Sequence, residues 1–126
     1  AGEEGQSNSS GYFASARLNR QQARDSALSL LQEAAADEKA DQASVDQANV
    51  TIQAMATYTL AEANIENLVT AKGYSDCVAF LNDNSISVVV SNNGTPLADA
   101  DTAKISEIVM EETGLKASQI KIIEAS

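Results

Sequence analysis

Between Glu66 and Val90 the sequence ENLVTAKGYSDCVAFLNDNSISVVV changes its hydrophobic period in mid-run. Up to Lys72 the apolar residues recur at helical spacing; beyond Tyr74 they read as strand. Gly73 stands where a helix ends in a left-handed residue, the conformation that costs glycine least. Tyr74, one position on, is placed to fold back over Val69 in a Schellman-type contact. Packing and capping account for Gly73 and Tyr74 as a structural turn, without an active site.

Beyond the turn the elements are short and regular. Asp76 to Leu81 and Ser85 to Ser91 predict two strands joined by Asn82-Asp83-Asn84 as a hairpin loop. In the second strand Ile86, Val88 and Val90 form the inward set. Asn92-Asn93-Gly94-Thr95-Pro96 is the next break. A helix capped by Asp99 or Asp101 comes after it, with Ile105, Ile108, Val109 and Leu115 toward a core, and Gly114 ends it. Ser118 to Ala125 predicts a last strand with Ile120 and Ile122 inward. With the final turns before Gly73 the elements form an αββαβ unit. The expected fold class is therefore α+β: long N-terminal helices, then a three-stranded sheet with helices packed on one face. A right-handed crossover suggests the sheet order 3-1-2, with Ser85 to Ser91 as one edge.

The N-terminal half is helical. Residues 1–12 are polar and rich in Gly and Ser, which suggests a disordered tail or linker. Residues 13–43 predict a helical extension, and residues 44–126 a further helix together with the αββαβ domain. Ser44-Val45-Asp46-Gln47 offers a capping box for that second helix. Its apolar residues form two stripes, one through Val45, Ala48, Ile52, Met55 and Thr59, the other through Tyr58, Ala61, Ile65, Leu68 and Val69. At ~100° per residue the stripes are offset by roughly 130°. Either the two halves of the helix pack on different partners, or the helix breaks near Ala56-Thr57.

Composition narrows the function. The 126 residues carry 8 basic and 18 acidic side chains, a net charge of −10, so nucleic acid is disfavoured as a partner. No histidine is present, which removes the commonest general base and metal ligand. The carboxylates fall in caps, helix ends and loops, and no spacing singles out an acid–base pair. The expectation is that the chain is not an enzyme, with no catalytic residue, metal or cofactor. Cys77 stands alone and reads as a small buried hydrophobe in a strand. No stretch is apolar enough to cross a membrane. The start AGEEGQSNSSG suggests a soluble fragment of a longer protein.

Two features are candidates for partner binding. All three arginines, Arg17, Arg20 and Arg24, lie at i, i+3 and i+7 in the first helix, and Phe13, Leu28 and Leu31 continue their stripe. The stripe reads either as a solvated face with snorkelling stems or as a groove for a partner's carboxylates. The other candidate is the strand edge carrying Ser85, Ser87 and Val89, which has no lysine or proline to discourage strand addition.

The chain resembles the stage III sporulation protein AH family. The resemblance rests on Phe13, Ala16-Arg17-Leu18, Arg20 and Arg24, and on the run Ile65-Glu66-Asn67-Leu68-Val69-Thr70-Ala71-Lys72-Gly73-Tyr74-Ser75-Asp76. The Ile/Val strand pair and Ile105-Ser106-Glu107-Ile108-Val109 agree with it. It implies a ring-building motif similar to those of type III secretion and flagellar basal-body rings. It also implies a single-pass protein of the mother-cell membrane, anchored by an N-terminal transmembrane helix that this chain lacks. The soluble domain would lie in the intermembrane space around the forespore. There it would be a structural component of a transenvelope channel. The implied partners are the LytM-like domain of stage II sporulation protein Q and, in a homo-oligomeric ring, further copies. A ring subunit or helical adaptor of another secretion-type assembly is the alternative.

Overall fold

The computed structural model describes residues 2–92 and 95–125, with side chains from residue 11 onward. Two long helices, α1 (Gly2–Ala36) and α2 (Gln42–Ala71), precede strands β1 (Cys77–Leu81) and β2 (Ile86–Ser91), helix α3 (Asp99–Thr113) and strand β3 (Ile120–Ala125). A short 3-10 turn, Ala117–Gln119, leads into β3.

α1 begins ahead of the segment in which helix is predicted, and its backbone takes in most of the expected tail. Ala1 lies outside the described residues. Extending an existing helix adds one hydrogen bond per residue fixed, and no proline interrupts this stretch. The charged segment after Ala36 separates the two helices: the Lys39 N–H donates to Asp37 Oδ1 at 2.9 Å, a local turn that competes with helix. α2 then starts earlier than the capping-box reading places it. Asp41 is the N-cap, extended at φ −73 and ψ 161, and its Oδ1 accepts from the Ser44 N–H at 3.0 Å. Ser44 thus sits inside the first turn, as a backbone donor.

α2 runs unbroken through Ala56-Thr57, so its two stripes serve two partners. The first half lies antiparallel along α1, with Ala48 buried there; the second half places Ile65 and Val69 in the main core. The helix ends at Lys72, and Gly73 takes φ 109.

The sheet order is β1-β2-β3, with β1 antiparallel and β3 parallel to β2. The expected order 3-1-2 is therefore incorrect, and β2 is the central strand. β3 cannot lie beside β1, because the outer side of β1 is taken up by side chains of α1 and α2. At the other end β3 is stitched to the segment after β2. The Asn92 N–H donates to the Ala125 carbonyl at 3.0 Å, and the Leu97 N–H donates to Glu124 Oε1 at 2.6 Å. Asn93 and Gly94 of the expected loop lie outside the described residues.

Alternation along the strands divides the apolar residues between two clusters. Cys77, Ala79, Leu81, Ile86, Val88 and Val90 face α2 and α3, and with Ile65, Val69, Ile105, Ile108 and Val109 they make the main core. Ile120 and Ile122 pack against it, as their spacing predicts. On the opposite face Phe13 and Ala16 of α1 cover Val78 and Val89, which are cross-strand neighbours.

The N-cap of α3 is Ala98 rather than the expected Asp99 or Asp101, which both lie in the first turn; Asp101 Oδ2 reaches back to accept from the Ala98 N–H at 2.9 Å. Gly114 closes it at φ 76, its N–H donating to the Met110 carbonyl at 2.9 Å. A Cβ added at Gly114 meets nothing within 4 Å, so only backbone strain opposes it. Gly114→Ala should cost about 1 kcal/mol, seen as a lower urea midpoint with an unchanged slope.

Candidate functional site

β1 has a strand on one side only, and alternate residues of a strand turn their backbone groups to alternate sides. Cys77, Ala79 and Leu81 point theirs away from β2. Side chains meet these groups. The Ala79 N–H donates to Glu66 Oε2 at 2.9 Å, and the Leu81 N–H donates to Glu62 Oε2 at 2.7 Å. The Cys77 N–H donates to Asp76 Oδ1 at 2.8 Å. Arg17 Nη2 donates to the Cys77 carbonyl, and Arg20 Nη1 to the Ala79 carbonyl, each at 2.5 Å. Carboxylates of α2 and guanidiniums of α1 thus stand where a fourth strand would lie.

The same groups pair with one another. Arg24 Nη2 donates to Glu62 Oε2 at 2.7 Å, and its Nη1 bonds Glu62 Oε1 and also donates to Thr59 Oγ1 at 3.0 Å. Arg20 Nη1 lies 3.5 Å from Glu62 Oε1 and donates to Glu66 Oε2 at 2.7 Å. Arg17 Nε is 3.9 Å from Glu66 Oε1, and Arg17 Nη2 bonds Asp76. The result is a ladder of alternating charge: Arg24, Glu62, Arg20, Glu66, Arg17, Asp76. The ladder is most buried at Glu62, whose side chain has 0% exposure, and most open at its Arg17 and Asp76 end, at 38% and 31%. Among the described residues no buried side-chain nitrogen or oxygen lacks a hydrogen-bond partner.

This arrangement relocates the residues singled out in the sequence. Arg17, Arg20 and Arg24 do form one stripe, and the stripe faces α2 and β1 of the same chain. Phe13 is fully buried against Val78 and Val89. Ser85, Ser87 and Val89 do not lie on an edge, because β2 is paired on both sides. Ser85 sits in the hairpin turn, where its carbonyl accepts from the Asn82 N–H at 2.8 Å. Among the described residues the strand edge without such a cover is that of β3. The residues sequence reasoning missed are Glu62 and Glu66. Their i, i+4 spacing matches the arginine spacing in an antiparallel neighbour, a signal visible once the two helices are read together.

The turn at Gly73 and Tyr74 is tied to α3. Tyr74 lies against the main core, and its hydroxyl donates to Asp101 Oδ1 of α3 at 2.5 Å. Burial, then the Asp101 bond, pushes the Tyr74 phenol up to about 12. The Tyr74 hydroxyl, then the Ala98 N–H, holds Asp101 below the usual carboxylate range. The Cys77 thiol is pushed up to about 12 by burial and then by the Glu66 charge, so it is a poor nucleophile at neutral pH.

The ladder and the Tyr74 anchor each make a measurable difference to stability. Glu62→Ala leaves Arg24, Arg20 and the Leu81 N–H without their buried acceptor and should cost about 3–5 kcal/mol in urea denaturation. Arg17→Ala, at the solvated end of the ladder, should cost about 1 kcal/mol or less. Tyr74 holds its proton more tightly when folded than the ordinary value of 10.0 allows when unfolded. Its contribution is complete below pH 10.0 and is lost as pH rises toward about 12. Tyr74→Phe should therefore flatten the fall in urea midpoint on the alkaline side, with wild type as the reference.

The chain matches the SpoIIIAH-like protein family over residues 1–122 and belongs to it. Its fold is similar to that of a chain in the solved structure of the SpoIIQ-SpoIIIAH pore forming complex. There the TM-score is 0.80 at 18% identity, covering 90% of this chain and 96% of that one. It is also similar to the type III secretion system protein EscJ of enteropathogenic E. coli. That match has a TM-score of 0.55 at 22% identity, over 72% of this chain and 60% of EscJ. No curated protein sequence matches it.

Proposed function

We propose that this SpoIIIAH-like chain is a structural, partner-binding component of the channel that joins mother cell and forespore during endospore formation. The observation that carries the reading is the family match over residues 1–122. A fold shared with a chain of the SpoIIQ-SpoIIIAH pore forming complex supports it. By this reading the partner is the LytM-like domain of a SpoIIQ protein, and further copies form a ring. The likeness to EscJ supports the ring-building part of the proposal.

The chain acts as a scaffold rather than an enzyme in this proposal. Its most elaborate polar constellation is used to close a strand edge, and each charged group in it already has a partner within the chain. Among the described residues no helix is long and apolar enough to cross a membrane. In the same proposal the domain lies in the intermembrane space, attached to the mother-cell membrane.

The arginine stripe is engaged within the chain's own fold, which favours a partner surface elsewhere. The uncovered edge of β3 and the exposed Leu18 and Ile123 are available to it. Mixing the chain with the LytM-like domain of its cognate SpoIIQ should give a co-eluting complex in size-exclusion chromatography. Two folded proteins that elute separately across micromolar concentrations would count against the proposal. Co-elution that Ile123→Glu abolishes, with the circular dichroism spectrum unchanged, would place the contact on the β3 side.

A further inference from the structure

The main core draws on α2, α3 and the three strands, and α1 contributes no buried residue to it. α1 is held by other means. Phe13 and Ala16 form an apolar peg on Val78 and Val89, and the three guanidiniums reach across to Glu62, Glu66 and Asp76. Alongside the arginines the two helices hold apart a cleft of about 700 Å³, lined by Arg17, Arg20 and Arg24 as well as by Leu28, Ile52 and Met55. In that half of α2 Ala48 is the buried residue. The contact between α1 and the rest is thus polar and loosely filled, whereas the core beneath is closed without it.

We propose that α1 is a displaceable cover, lifting from the αββαβ unit while that unit stays folded. Parting charged groups returns them to water, so the ladder opposes release far less than its number of bonds suggests. The seal on β1 also divides cleanly between the two helices. Glu62 and Glu66 of α2 hold the N–H groups of Leu81 and Ala79, and α1 holds the carbonyls of Cys77 and Ala79. Release of α1 therefore uncovers strand acceptors together with the Val78–Val89 face, and leaves the α2 half of the seal in place. Two surfaces suited to association become available in one motion. While α1 is docked they are closed to other copies and to unrelated strands.

Hydrogen exchange followed by mass spectrometry on the intact chain tests this, because local opening and global unfolding expose different amides. Amides of residues 13–36 should exchange at least about tenfold faster than those of β2 and of the Ile105–Val109 stretch, after correction for intrinsic rates. Phe13→Ala, which removes the peg, should widen that gap by at least about another tenfold without moving the β2 rates. Cys77 faces the main core, so in Phe13→Ala its thiol should stay as unreactive as in wild type. Equal protection of α1 and β2 in the wild type would overturn the proposal. So would a Phe13→Ala chain in which β2 exchange and Cys77 labelling accelerate together with α1, since the opening would then be global.

Discussion

The outer side of β1 is finished with side chains, and much of the architecture depends on that substitution. A strand edge presents donors and acceptors that must be satisfied by something other than an apolar neighbour. Here one helix supplies acceptors and the other supplies donors, so the edge is closed only when both lie alongside it. Glu62 is the pivot: it is fully buried, accepts from the Leu81 N–H, and is neutralised by Arg24 and Arg20. Its burial is tolerable because every polar contact it needs is present in the same place.

This closure constrains how such a unit can assemble. β2 is internal and β1 is sealed, so the sheet can grow only past β3. Edge-to-edge pairing through β3 alone would join two copies about a twofold axis and stop there. A ring requires two different complementary surfaces on each subunit. Its contacts must then involve helices, sheet faces or loops rather than a continuous sheet. The sheet face over Val78 and Val89 is closed to such contacts while α1 covers it.

Much of the fold was legible from local chemistry. Gly73 and Gly114 both take the left-handed conformation that helix ends favour, and the Ile86-Val88-Val90 and Ile120-Ile122 patterns name the core face of two strands correctly. The parts that were not legible depend on distant partners. Strand order turned on what occupies the side of β1, and nothing in Cys77-Val78-Ala79-Phe80-Leu81 says that carboxylates will lie there. The arginine stripe was visible as a stripe, but its target was not. An outward guanidinium and an inward one have the same spacing until Glu62 and Glu66 are placed opposite. Tyr74 shows the same limit: its place after the glycine is read from the sequence, its bond to Asp101 is not.

The inward use of the arginines also decides how the chain presents itself to others. The ladder holds three positive and three negative groups and is formally neutral, so the net charge of −10 resides wholly outside it. Copies approaching one another meet like charge, screened beyond a Debye length of about 8 Å at physiological ionic strength. Association between copies must then come from short-range contacts that outweigh this repulsion, and it strengthens as salt is added. A partner with basic patches faces no such barrier and is drawn in faster at low salt. A chain that spends its arginines on one strand edge thereby favours a partner of different charge over its own copies at first encounter.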